Sequence, residues 1–174
     1  MIWRHSFLWS LNETTRVNEA PILETVRWPD EAATQAFAEQ LARALQAQGL
    51  DGCITLEGDL GAGKTTLVRH LLRALGVRER IKSPTYAVVE PYAVPTGRIW
   101  HFDFYRFSDP HEWEDAGFRD LFASPGLKLC EWPNQAQGLL PQVDLAIHIE
   151  VDADEQRHVR LQVHSARARR WLAA

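Results

Sequence analysis

Cysteine is scarce in this 174-residue chain: there are two, Cys53 and Cys130, each inside an apolar stretch. Two such thiols cannot form the disulfide framework of a small secreted domain, and as buried packing residues they fit a reducing compartment. Long apolar runs are also missing. Nothing approaches the ~20 residues that a membrane-spanning helix requires, and the N-terminal MIWRHSFLWSLNETTRVNEAP lacks the apolar run and small-residue cleavage site of a signal peptide. These absences predict a cytoplasmic chain without membrane contact, in which the Asn12-Glu13-Thr14 sequon is idle. Positive charge is not in excess. The 19 Lys and Arg against 23 Asp and Glu give a formal net charge of -4, which argues against nucleic-acid binding through a broad basic face. Arg157, Arg160, Arg167, Arg169 and Arg170 make only the C-terminal end locally basic. The histidines show no metal-ligand spacing, no N-K-x-D guanine-reading tetrapeptide occurs, and no internal repeat or low-complexity tract is found.

What is present is ordinary for one globular domain: 45% hydrophobic and 24% charged residues. Residues 1–20 read as an extension of unknown role and residues 21–174 as the domain. After Asp30, apolar residues at Ala33, Phe37, Leu41 and Ala44/Leu45 recur at helical spacing until Gly49. Residues 53–56 form a short apolar strand, and Leu67, Leu71, Leu72 and Leu75 mark a second helix that ends at Gly76. Residues 85–92 and 98–104 are β-rich and flank a Pro- and Gly-containing turn, so they predict an antiparallel hairpin. Asp109-Pro110 opens a further helix with Glu112 in a capping-box position. Residues 127–130 and 145–151 predict strands, and 158–163 another that pairs with the latter. Helices alternating with strands indicate an α/β fold, its mixed sheet largely parallel with an antiparallel hairpin and helices on both faces.

Between the strand at 53–56 and the helix that follows lies Gly58-Asp59-Leu60-Gly61-Ala62-Gly63-Lys64-Thr65, which satisfies G-x-x-x-x-G-K-[ST] at every fixed position. Glycines let successive backbone amides turn toward one anion, and the helix beginning near Lys64 adds its positive end. The pattern predicts a polyphosphate site. Lys64 reaches the β- and γ-phosphates, the Thr65 hydroxyl ligates Mg2+, and Thr66 adds a hydroxyl for the α-phosphate. Nucleotide hydrolysis also needs acids at the carboxyl ends of strands. Asp103 and Glu131 each end an apolar run and are the candidates, while Thr85 in Ser83-Pro84-Thr85-Tyr86 is a candidate γ-phosphate sensor.

With GDLGAGKTT, KSPTYAVVEPY, WHFDFYRF and CEWP in this order, the chain resembles the TsaE family, the P-loop ATPases of bacterial tRNA threonylcarbamoyladenosine synthesis. The resemblance runs from about residue 30 to 163. It implies a cytoplasmic, Mg2+-dependent ATPase that joins the TsaB and TsaD proteins, its hydrolysis supporting transfer of a threonylcarbamoyl group to adenosine 37 of tRNAs reading ANN codons. The transfer itself belongs to TsaD, and tRNA is met through the complex. By the same resemblance, Gly58 and Gly61, Ala62, Gly63, Lys64, Thr65 and Thr66 bind the nucleotide phosphates, Thr65 and Glu131 hold Mg2+, and Lys64, Asp103 and Glu131 are catalytic. Asp30 and Thr34 at the first helix entrance, and Arg157 late in the chain, match an adenine-side segment more loosely. Two rival readings stay open on the residues alone. A small-molecule kinase is one, with Arg78 and Arg80 in a phosphate-clamping lid; a nucleotide-dependent switch with little hydrolysis is the other.

Overall fold

Alternation of inward and outward side chains shapes a single sheet of seven strands in the computed structural model, which describes residues 22–136 and 138–173. The extension expected over residues 1–20 lies outside them. In chain order the elements are β1 (Ile22–Trp28), α1 (Glu31–Gln48), β2 (Gly52–Glu57), α2 (Lys64–Ala74), β3 (Val89–Val94), β4 (Gly97–Asp103), α3 (Pro110–Asp115), α4 (Phe118–Ala123), β5 (Leu127–Glu131), a 3-10 turn (Pro133–Ala136), β6 (Leu145–Val151), β7 (Arg157–Val163) and α5 (Ala166–Leu172). The strand order is β1-β7-β6-β2-β5-β4-β3. The middle four, β6, β2, β5 and β4, run parallel, and antiparallel pairs extend the sheet at both ends.

Register divides the side chains between two layers. On β4 and β5, Ile99, Leu127 and Leu129 join the core beneath α1, α2 and α5. Trp100, Phe102 and Cys130 alternate to the opposite face and pack with Phe104, Phe107, Trp113 and Phe118 under α3 and α4. Every residue of β5 is buried, as expected of a strand covered on both faces. Burying a ring such as Phe102 contributes roughly 1.5–3 kcal/mol, and its contacts with Phe104, Phe118 and Phe122 pin the second layer to the sheet.

The fold class read from the sequence is the one observed, with four differences of detail. The strand expected from residue 85 begins at Val89, because residues 85–88 form a turn closed by the Val88 amide on the Pro84 carbonyl at 2.6 Å. On α1 the expected Leu41, Ala44 and Leu45 are buried, but Thr34, Ala38 and Ala42 complete the inner face while Ala33 and Phe37 sit at its margin. Strand β1 and helices α4 and α5 were not anticipated. The arginines of the C-terminal end are also spread apart: Arg160 pairs with Glu150 and Arg167 with Asp51, while Trp171 of the same helix is buried. Among the described residues no helix is long and apolar enough to cross a membrane.

Candidate functional site

Three parallel strands, β2, β4 and β5, end side by side. Their carboxyl ends deliver the phosphate-loop motif, Asp103 and Glu131 to one place, with Asp103 opposite Glu131 in register and Leu56 opposite Glu131 on the other side. The loop leaves β2 at Gly58 and enters α2 at Lys64, with Gly63 in the left-handed region as its N-cap. No side chain caps α2, so its first-turn amides remain available to an anion.

Lys64 is buried, its Nζ donating to the Gly58 carbonyl at 2.6 Å and the Asp59 carbonyl at 2.9 Å. The ammonium also lies 3.9 Å from the centre of the Trp132 ring, a cation-π distance. Burial pulls Lys64 below the usual lysine range, opposed by the charges of Glu131, Asp103 and Asp59. Trp132 takes a left-handed backbone (φ 57°), tied to β2 by its amide on the Leu56 carbonyl at 3.2 Å, and its ring rests 5.0 Å from Tyr105.

Both buried acids are held by hydroxyls. The Thr65 Oγ1 lies 2.9 Å from each oxygen of Glu131, and His101 Nε2 lies 2.8 Å from Glu131 Oε1. Asp103 Oδ2 accepts from Ser83 Oγ at 2.5 Å and Thr85 Oγ1 at 2.8 Å, while its Oδ1 accepts the Tyr105 amide at 3.0 Å. Thr85 therefore reaches Asp103 as part of a two-hydroxyl clamp. Ser83, its neighbour in the same tetrapeptide, was not singled out from the sequence; a second hydroxyl two residues away was the available signal.

The donor set suits a hard divalent cation with a polyphosphate. The Thr65 hydroxyl and the Glu131 carboxylate are hard oxygen donors, and with Asp103 beside them the buried carboxylates outnumber the Lys64 ammonium, a balance that suits a cation. Among the described residues no group of three His, Cys, Asp or Glu side chains forms a metal cage; an ion sharing its coordination with phosphates and water needs none.

On the far side of the loop, a cavity of about 150 Å³ is lined by Trp28, Glu31, Thr34, Ala62, Gly63, Thr66 and Arg157. Thr34 and Arg157, two of the sequence candidates, border this cavity together with loop residues, Arg157 facing Trp28 across the β1–β7 pairing. Asp30 does not line this cavity; its Oδ1 accepts the Ala33 amide at 2.9 Å as the N-cap of α1. Trp28 was missed because β1 itself was missed, whereas Glu31, the first residue of α1, lay within the expected helix entrance without being singled out. A larger cavity of about 550 Å³ includes Asp51, Lys128, Asp144 and Arg167 at the opposite end of the sheet, and contains none of the expected residues. Lys128 there donates to the Ser124 and Gly126 carbonyls and lies 5.1 Å from the Trp100 ring, a structural role.

Comparison with known proteins addresses the family and the fold. The family model described as threonylcarbamoyl adenosine biosynthesis protein TsaE matches residues 28–159. The tRNA threonylcarbamoyladenosine biosynthesis protein TsaE of Haemophilus influenzae is 41% identical over 135 residues, 76% of this chain and 85% of that protein. The TsaE protein of Aquifex aeolicus is 32% identical over 80% of this chain and 96% of its own length. The crystal structure of YdiB from Bacillus subtilis superposes with a TM-score of 0.69 at 26% identity, covering 88% of this chain and 93% of that one. On the matched span, the shared fold and the motifs gathered at one end of its sheet, the chain belongs to the TsaE family.

Proposed function

We propose that this chain is a Mg2+-dependent ATPase of the cytoplasm that acts with TsaB and TsaD in the threonylcarbamoylation of adenosine 37 in tRNAs reading ANN codons. The observation that carries the reading is the convergence of Lys64, Thr65, Asp103 and Glu131 on one glycine loop at a helix start. Gly58, Gly61, Ala62 and Gly63 present backbone amides to the phosphates, and Thr66 adds a hydroxyl. Thr34 and Arg157 border the nucleoside side of the loop, with Asp30 shaping the entrance of α1.

Phosphoryl transfer depends on positioning and charge stabilisation more than on covalent chemistry by the protein. Lys64 exchanges its two carbonyl acceptors for the β- and γ-phosphates, a trade that its partial desolvation favours. Thr65 and Glu131 hold the Mg2+, which supplies charge stabilisation at the transferred phosphoryl group. Asp103, fixed by Ser83 and Thr85, orients the attacking water, and Thr85, bonded to Asp103, would sense the γ-phosphate. Contact with tRNA runs through the complex, in keeping with a net charge of -4.

Incubation with ATP, Mg2+ and candidate acceptors, alone and with TsaB and TsaD, tests the proposal. ADP and free phosphate, enhanced by the partners, are expected. A phosphorylated acceptor would make the chain a kinase, and nucleotide-dependent capture of TsaB and TsaD without turnover would make it a switch.

A further inference from the structure

The geometry points to His101 as a positioning residue that fixes the carboxylate of Glu131; this rests on the nucleotide and Mg2+ reading above. His101 is fully buried on β4, two residues before Asp103 and on the same face of the strand. It stands opposite Leu129 of β5, one inward position short of Glu131. Its Nε2 lies 2.8 Å from Glu131 Oε1, and a carboxylate oxygen, which can only accept, calls for an N–H at Nε2. Nδ1 has no hydrogen-bond partner among the described residues. An imidazole nitrogen left unmatched in a core costs stability, and the neighbouring inward positions, Ile99 and Leu129, are aliphatic. Packing therefore gives no reason for a histidine here, and the one contact that does is Glu131.

That contact has a mechanical consequence. The terminal torsion of a glutamate is broad, and Thr65, the hydroxyl facing the carboxylate, lies equally far from both oxygens, 2.9 Å. Thr65 alone therefore leaves the carboxylate plane free to turn. A rigid ring bonded to Oε1 as well selects one orientation of the carboxylate. His101 touches neither nucleotide nor cation; it acts through Glu131, as partners of metal-binding carboxylates do.

The test separates cation dependence from nucleotide binding. Calorimetry with a non-hydrolysable ATP analogue gives affinity in EDTA and across a Mg2+ titration, and Mn2+ binding by electron paramagnetic resonance supplies a second readout. His101→Leu is expected to bind the analogue in EDTA within about twofold of wild type and to lose roughly 10- to 100-fold in cation affinity. His101→Gln, whose amide N–H reaches the same oxygen, restores most of that loss, whereas the shorter His101→Asn does not. If His101→Leu does not fold, the Gln and Asn pair decides. Full cation affinity in folded His101→Leu, or equal behaviour of Gln and Asn, overturns the assignment. A wild-type protein that binds the analogue with no Mg2+ dependence overturns the reading of the site itself.

Discussion

Two glycines of the phosphate loop should respond very differently to the same added methyl group. Gly61 has φ 84° and a Cβ built on it meets nothing within 4 Å. Gly61→Ala therefore carries only the left-handed penalty of about 1–2 kcal/mol, partly offset by 0.4–1 kcal/mol or so from a less flexible unfolded chain. Gly58 has φ 140°, and its Cβ would lie 2.3 Å from the Ile149 carbonyl oxygen. That oxygen belongs to the backbone of β6, where Ile149 pairs with Val159 of β7, so it cannot rotate aside as a side chain would. Backbone strain of about 1–3 kcal/mol adds to an overpacking cost of about 1–3 kcal/mol. At this chain length each kcal/mol lowers Tm by about 2–4 °C. Gly61→Ala should thus melt a few degrees below wild type and Gly58→Ala on the order of 10 °C below, followed by circular dichroism at constant ionic strength. Both positions share a positive φ, so their difference isolates the collision with Ile149. Equal losses, or a Gly58→Ala protein within about 2 °C of wild type, would refute the packing of the loop against β6.

Three further outcomes are expected. Lys64→Ala removes a charge-assisted contact worth about 1.5–3 kcal/mol, so calorimetric ATP affinity should fall tenfold or more; unchanged affinity would contradict the role of the ammonium. Asp103→Ala and Glu131→Ala should keep the fold by circular dichroism yet cut Mg2+-dependent phosphate release, and normal turnover in both would make these acids structural. Asp152 has its pKa held below the ordinary 3.8 by hydrogen bonds from the Gln156 amide and from His158, and with the Asp154 amide these organise the β6–β7 turn that leads to Arg157. Because the folded value is the lower one, the stabilisation is complete above about pH 4 and disappears as pH falls through the folded value. The stability gap between wild type and Asp152→Ala should therefore close on acidification, and a gap unchanged down to pH 2 would sink this account.

The parts of the fold that could be read from sequence are those whose partners are near in the chain. β2, the loop and α2 are contiguous, and the β3–β4 hairpin closes through Pro95 and Thr96 between Val94 and Gly97. β1 escaped notice because the strand that completes it, β7, pairs Trp28 with Arg157 from the other end of the chain. Its alternation was nevertheless there: Val26 and Trp28 turn inward, while Leu23 is exposed. Helix α5 was hidden by its arginines. Ser165 accepts the Ala168 amide at 3.1 Å as an N-cap, and Ala168 and Trp171, three apart, form the buried stripe. The charge of the segment drew the eye from that spacing.

The site divides along the same line. An octet can be recognised because one continuous backbone wraps the anion, so spacing in sequence is spacing in space. Its acids are different: Asp103 and Glu131 could be proposed only as strand ends, and what holds them comes from elsewhere, Ser83 and Thr85 from a turn before β3, Thr65 from α2, His101 from inside β4. Nothing in a linear pattern distinguishes His101 from a core histidine, since the fact that decides it is a 2.8 Å contact made across two parallel strands. Motifs of this kind mark where a ligand is gripped. The residues that aim the grip become visible only once the register of the sheet is known, because the register, through the pairing of Asp103 with Glu131, sets which side chains share a face.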